Sequence, residues 1–320
     1  MSDSEFIMDD AKKGLKTLGM HPVSLKFSYL ELDLSNKNLS TAEICESFPS
    51  IAYLNISTNN IQTLKNLEKI TCLIQLNASK NQLTSCLDFN PPHCTHESPT
   101  SIGHTNIGSM LTLVDLSDNA IDNLGTNLKN HPFIECLILK GNRITVISGL
   151  ADLRFLKILD LSNNLIQSIQ GLENLNIREL NLEGNKLTTL DGLTSLEKLT
   201  SLNVSKNLIE SLAPLRNCRS LSYIDASDNR ILQIKEVSAL KNLEWLNILI
   251  LQDNPCYKKD HYRLRALYRL PNLKRLDMIT VSFEEVIRAS NLYKRDGGDL
   301  LSRERVFAKY LPRDEFVDYR

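Results

Sequence analysis

Nine asparagines stand in step along this chain, at positions 59, 81, 119, 142, 164, 185, 207, 229 and 254, separated by 22, 38, 23, 22, 21, 22, 22 and 25 residues. Each falls in the order Leu-x-x-Leu-x-Leu-x-x-Asn-x-Leu, whose clearest copy is Leu156, Leu159, Leu161, Asn164 and Ile166. An earlier copy, Tyr29, Leu32, Leu34 and Leu39, carries Lys37 in place of the asparagine, 22 residues before Asn59, which makes ten repeats. Phased self-similarity of this length leaves few folds open, because each unit must bury its apolar side against the next. It also accounts for 56 leucines and 30 asparagines among 320 residues.

The spacing dictates the local structure. Repeat positions 4 and 6 alternate with polar neighbours, as in Leu159-Asp160-Leu161, so each repeat supplies a short strand with its apolar pair turned inward. The asparagine at position 9 sits where the chain leaves the strand, and its amide can satisfy turn groups that burial would leave unpaired. Later apolar positions, such as Ile169, Leu172 and Leu175, fill the opposite wall from short helical or extended segments. The predicted fold is an α/β right-handed solenoid, with a parallel sheet on the concave face and short helical or 3₁₀ segments on the convex face. At Lys37 no repeat precedes the turn, so a solvated lysine suffices.

Several function classes fall away. With 37 basic and 38 acidic side chains the formal charge is −1, which offers no field for nucleic acid or an anionic membrane. The opening Met-Ser-Asp-Ser-Glu has no signal-peptide character, and no run reaches the roughly 18 apolar residues of a spanning helix. A cytoplasmic protein without membrane insertion is expected. Its seven cysteines (45, 72, 86, 94, 136, 218 and 256) are odd in number and unpaired in spacing, as suits reduced core thiols. Of the sequons at Asn38, Asn55, Asn77 and Asn203, the last three would put glycans on the sheet face, against an extracellular receptor. No G-x-S-x-G, H-E-x-x-H or phosphate-binding glycine loop occurs, so neither enzyme activity nor a cofactor is expected. His93, His96 and His104, with Cys86 and Cys94, lack metal-ligand spacing, and no metal site is expected.

The chain divides into an N-terminal capping helix (1–25), ten repeats (26–256) with an inserted Pro/Ser-rich loop at 85–110, a C-terminal cap (257–281), and a helix with an aromatic tail (282–320). Phe6, Ile7, Met8, Leu15 and Leu18 give the first helix its amphipathic pattern over 5–20. Ser282-Phe283-Glu284-Glu285 reads as a capping box opening the last helix. Beyond it, Phe307, Tyr310, Phe316 and Tyr319 either pack back on the last repeat or dock on a partner.

On the strands, the outward positions gather Glu31, Asp33, Asp115, Asp118, Glu135, Asp160, Glu179, Glu183, Asp225, Asp228 and Asp253 against Lys80, Lys140, Lys157, Arg178 and Lys206. Tyr53 and Tyr223 stand among them. Such a face is either merely solvated or a protein-binding surface, in which charge guides encounter and aromatics anchor. The candidate partner-binding residues are Tyr53, Asp115, Asp160, Glu179, Tyr223, Asp225, Phe307, Tyr310, Phe316 and Tyr319.

Asn-x-Leu with a later Ile147-Ser148-Gly149-Leu150 resembles the cytosolic 22-residue leucine-rich-repeat class typified by a protein-phosphatase-1 regulator. The closing run Asp253-Asn254-Pro255-Cys256, Tyr262-Arg263, Leu270-Pro271-Asn272-Leu273 and Leu276-Asp277 is similar to the cap of that class. It is also similar to the equivalent segment of ciliary radial-spoke leucine-rich-repeat proteins and of the repeat domain of leucine-rich-repeat guanylate kinases. The resemblance covers about residues 26–280 and implies a non-enzymatic protein-binding scaffold. Its partners would be axonemal or radial-spoke proteins in a motile cilium or flagellum, or protein phosphatase 1 in the alternative. No kinase motif accompanies it, and the strongly acidic N-terminal extension of the spoke type is missing.

Overall fold

The computed structural model describes residues 8, 11–20, 27–70, 72–90 and 110–292. Two compact units are present, Met1–Asn185 and Lys186–Arg320. Both are built on the leucine-rich-repeat plan of one short strand per repeat, with a turn and a 3₁₀ or extended segment leading back.

The first unit carries β1 (Leu15–Met20), β2 (Phe27–Asp33), β3 (Tyr53–Asn55), β4 (Gln75–Asn77), β5 (Leu113–Asp115), β6 (Cys136–Ile138), β7 (Ile158–Asp160) and β8 (Glu179–Asn181). From β2 to β8 the strands pair in parallel and in register, so each column of the repeat is a physical row across the sheet. Inward, Leu32, Leu54, Leu76, Val114, Leu137, Leu159 and Leu180 form a fully buried row, each side chain contributing about 2 kcal/mol of burial. The second unit carries β9 (Ser201–Asn203), β10 (Tyr223–Asp225), β11 (Ile248–Ile250), β12 (Arg275–Leu276) and β13 (Ile279–Thr280), with helices α1 (Tyr262–Arg269) and α2 (Phe283–Leu292).

The asparagine ladder is the main polar element of the core. Asn164 is 4% exposed. Its Oδ1 accepts the N–H of Ile144 at 3.0 Å, and its Nδ2 donates to Leu139 O and Leu161 O, both at 3.0 Å. Each asparagine therefore completes the turn of the repeat before it. Asn59 does so for the first repeat, accepting from Lys37 N at 2.9 Å and Leu39 N at 3.0 Å. Lys37 has no earlier turn to complete. Position 8 follows another rule. Thr58, Lys80, Asp118, Asn163, Lys206, Asp228 and Asp253 all take positive φ, as do Gly141 and Gly184. Asp118, Asp228 and Asp253 thus answer a backbone requirement that Asn, Asp and Gly meet most readily. At Gly141 a Cβ would lie 2.3 Å from Asp118 Oδ1, so a side chain there would have to displace the Asp118 carboxylate.

The N-terminal expectation needs correction. Residues 11–13 are helical, but the chain then becomes β1, antiparallel to β2 with Leu15 opposite Leu32 and Leu18 opposite Tyr29. The reason is the outer edge of β2, whose backbone groups need partners that a helix cannot supply. Gly14 and Gly19 also weaken a helix there. Lys16 Nζ donates to Asp33 at 2.9 Å and Thr17 Oγ1 to Glu31 at 2.7 Å, fastening the hairpin. The insertion also begins later than expected. Cys86, Leu87 and Phe89 are buried, Ser85 bridges Asn123, and the fourth repeat packs on them through His131.

At the other end, α1 covers the last repeat, and a two-residue turn at Asp277 and Met278, both with positive φ, folds β13 back antiparallel to β12. Arg263 binds this cap together. Its Nε and Nη2 donate to Glu285 at 2.6 and 3.2 Å, and Nη1 donates to Leu276 O at 2.8 Å. The capping box of α2 forms: Glu285 N–H donates to Ser282 Oγ at 3.2 Å, and Ser282 N–H to Glu285 Oε2 at 3.0 Å. Arg263 and these bonds hold the Glu285 carboxyl down to about 2, so its contribution is present above the ordinary 4.5 and is lost as pH falls toward 2. Arg263→Met should cost about 2 kcal/mol by removing a bidentate ion pair and a carbonyl partner together. Hydrogen exchange should rise across 276–292 and stay unchanged across 113–160.

Candidate functional site

The solvent side of the first unit's sheet displays two rows. Position 3 runs Glu31, Tyr53, Gln75, Leu113, Cys136, Ile158, Glu179, and position 5 runs Asp33, Asn55, Asn77, Asp115, Ile138, Asp160, Asn181. Position 5 has a structural duty. Asp115 Oδ1 accepts the N–H of Ser117 at 2.9 Å and Asp160 Oδ1 that of Ser162 at 2.8 Å, each turning the chain off its strand. Asn55, Asn77 and Asn181 make the same bond at 3.1, 3.0 and 3.1 Å.

Of the residues singled out from sequence, Tyr53, Asp115, Asp160 and Glu179 share this face. Tyr53 is 38% exposed and flanks a depression of about 260 Å³ lined also by Glu31, Gln75, Asn77, Leu113, Asp115 and Ile138. Tyr223 and Asp225 lie on β10 of the second unit, where Tyr223 stands between Ser201 and Ile248. Phe307, Tyr310, Phe316 and Tyr319 lie outside the described residues, as do His93, His96 and His104. Cys86 is buried and its thiol is pushed up to about 12, first by burial and then by Asp88. The cysteines among the described residues are free. Among those residues no group of three or more His, Cys, Asp and Glu could hold a metal ion, and no helix is long and apolar enough to cross a membrane.

What the sequence reading missed is apolar. Leu113, Cys136 and Ile158 are consecutive in the position-3 row, and Ile138 sits between Asp115 and Asp160 in the position-5 row. Four apolar side chains in three adjacent strands, Ile158 exposed and the other three half-buried, thus line the solvent side where other repeats are mostly polar. Comparing repeats column by column would have found them. Half-burial raises the Cys136 thiol above its ordinary range, and Asp115, Glu179 and Asp160 raise it further. The block lies in a negative field. Glu135 accepts a hydrogen bond from Lys157 at 2.7 Å beside it.

Comparison with known proteins places this architecture. A family profile described as "Leucine-rich repeat" matches residues 176–306, and one described as "Leucine Rich repeats (2 copies)" matches 132–174. Leucine-rich repeat-containing protein 23 of Mus musculus is 31% identical over 289 residues, covering 83% of this chain and 74% of its own. The chain belongs to the leucine-rich repeat family of that protein. The Bos taurus protein of the same name is 29% identical over 308 residues, covering 89% of this chain and 78% of the relative. A shorter match of this leucine-rich repeat chain, 42% identical over 76 residues, is to cilia- and flagella-associated protein 410 of Mus musculus, covering 23% of this chain and 30% of that one. Among solved structures, a TDR receptor shares the fold alone, with a TM-score of 0.56, 19% identity, and coverage of 85% of this chain and 44% of that one.

Proposed function

We propose that this leucine-rich-repeat protein is a non-enzymatic scaffold of the motile cilium or flagellum, built into the axoneme as a radial-spoke type component. The observation that carries the reading is its similarity, over most of its length, to leucine-rich repeat-containing protein 23, joined by the match to a cilia- and flagella-associated protein. The resemblance of its closing segment to radial-spoke proteins points the same way. Proteins bind on the solvent side of the first unit's sheet, where Tyr53, Asp115, Asp160 and Glu179 surround half-buried and exposed apolar side chains, and the repeats hold that surface rigid.

In ciliated cells the tagged protein should remain with the axoneme when detergent removes membrane and soluble cytoplasm. Tyr53→Ala with Glu179→Lys should release at least half of it, since an aromatic anchor is lost and a charge is reversed. Recovery only in the soluble pool, bound to protein phosphatase 1 in cells without cilia, would sink the scaffold reading.

A further inference from the structure

We infer that the first unit's sheet receives a partner's helix bearing an apolar ridge flanked by lysine or arginine, with Asp115 and Asp160 pairing its cations. This rests on the reading above that the sheet face is the binding surface, and adds the chemistry of what binds there.

Two departures from the repeat carry the inference. At position 5 the backbone asks only for an acceptor, and Asn55, Asn77 and Asn181 supply it with a neutral amide. Asp115 and Asp160 supply the same acceptor and add a negative charge that the turn does not use. Between them Ile138 has no acceptor at all, so that strand gives up the turn bond for an apolar side chain. Neither carboxylate has an ion-pair partner among the described residues, though Asp160 Oδ2 accepts the Asn181 amide at 3.1 Å, so charge beside apolar surface is little used within the isolated chain. It is favourable when a partner covers the apolar part and brings opposite charge to its rim.

The dimensions select a helix. The apolar block of Leu113, Cys136, Ile138 and Ile158 spans three strands, about 10 Å at the usual strand spacing, which is about two turns of a helix lying across them. Asp115 and Asp160 are two strand spacings apart, about 10 Å, which equals the rise of seven helical residues. A helix laid across the strands can therefore present cations at i and i+7 to the two carboxylates, with apolar side chains at i+3 and i+4 over Ile138 and Cys136. Lys157 is engaged by Glu135, and Lys140, two residues beyond Ile138, makes no ion pair with Asp115 or Asp160, so neither lysine neutralises the pair.

Two synthetic helical peptides test this with the full chain. One carries a leucine ridge with lysines at i and i+7, and the other carries glutamates in place of the lysines. The lysine peptide should bind one to one and slow alkylation of Cys136, the thiol in the centre of the block, while the glutamate peptide should not bind. Asp115→Asn with Asp160→Asn keeps both turn acceptors and gives up only the bond from Asn181 Nδ2 to Asp160, so melting should shift only slightly while affinity for the lysine peptide falls about tenfold or more. Asp122→Asn with Glu173→Gln, which neutralises two exposed acids elsewhere, should leave affinity unchanged. Equal loss in the two double variants, equal binding of the two peptides, or Cys136 left unprotected would overturn the inference. Axonemal retention is a separate readout: its absence together with specific peptide binding would remove the ciliary reading and leave this one standing.

Discussion

Asn164→Ala is expected to lower stability by about 3 kcal/mol, seen as a lower melting temperature and a lower urea midpoint with little change in slope. The side chain is buried and serves an N–H of Ile144 and carbonyls of Leu139, Leu161 and Ser162. Alanine leaves these groups facing one another with no partner, at about 1–3 kcal/mol for each group stranded without water. Lys37→Ala should shift stability by less than about 0.5 kcal/mol, because the residue stands at the same repeat position with no earlier turn to complete. Equal shifts in the two variants would mean that the asparagine column is not the structural element described.

Acidification is expected to remove about 2 kcal/mol between pH 7.5 and 5 through a single side chain, His131. It is fully buried under the root of the insertion, with its ring edge-to-face on Phe89 at 5.0 Å and Nε2 3.3 Å from Phe89 O. Nδ1 has no partner among the described residues. Burial pushes its pKa down from 6.5 to about 4, the bond to Phe89 O opposing only in part. The folded state thus holds the ring neutral while the unfolded chain takes up a proton below 6.5. Stability is full above that pH and falls as pH drops toward 4. Urea midpoints at pH 7.5 and 5 measure the difference, and His131→Phe should flatten it. A wild-type midpoint that does not move over this range would refute the assignment.

The repeat fold was legible because its period is written in the chain itself. Asn164 and its equivalents, the inward leucines and the capping box at Ser282 each follow from local spacing. What escaped depends on neighbours about 22 residues away. Ile138 reads along the chain as one more strand residue, and only its register with Asp115 and Asp160 shows an apolar spot between two charges. His131 looks like a turn residue until Phe89 is seen beside it. Leu15 and Leu18 fit a helical stripe equally well, and the choice of strand was made by the free edge of β2, a feature with no local signature. Asp118 and Asp228 were counted as surface charge when their backbone angles explain them.

The direction of the asparagine bonds has a consequence for synthesis. Every ladder amide reaches back to the repeat made just before it, so the turn at Ile144 is finished only when Asn164 has been added, and that at Ile231 only when Asn254 has been added. While the chain emerges from the ribosome, its newest turn is always unfinished. Completion passes from repeat to repeat in the order of translation, which keeps early repeats from waiting on the far end of the chain. The relay stops at Asp277, whose buried carboxylate accepts the N–H of Leu251 at 2.8 Å and leaves nothing for a further repeat to finish.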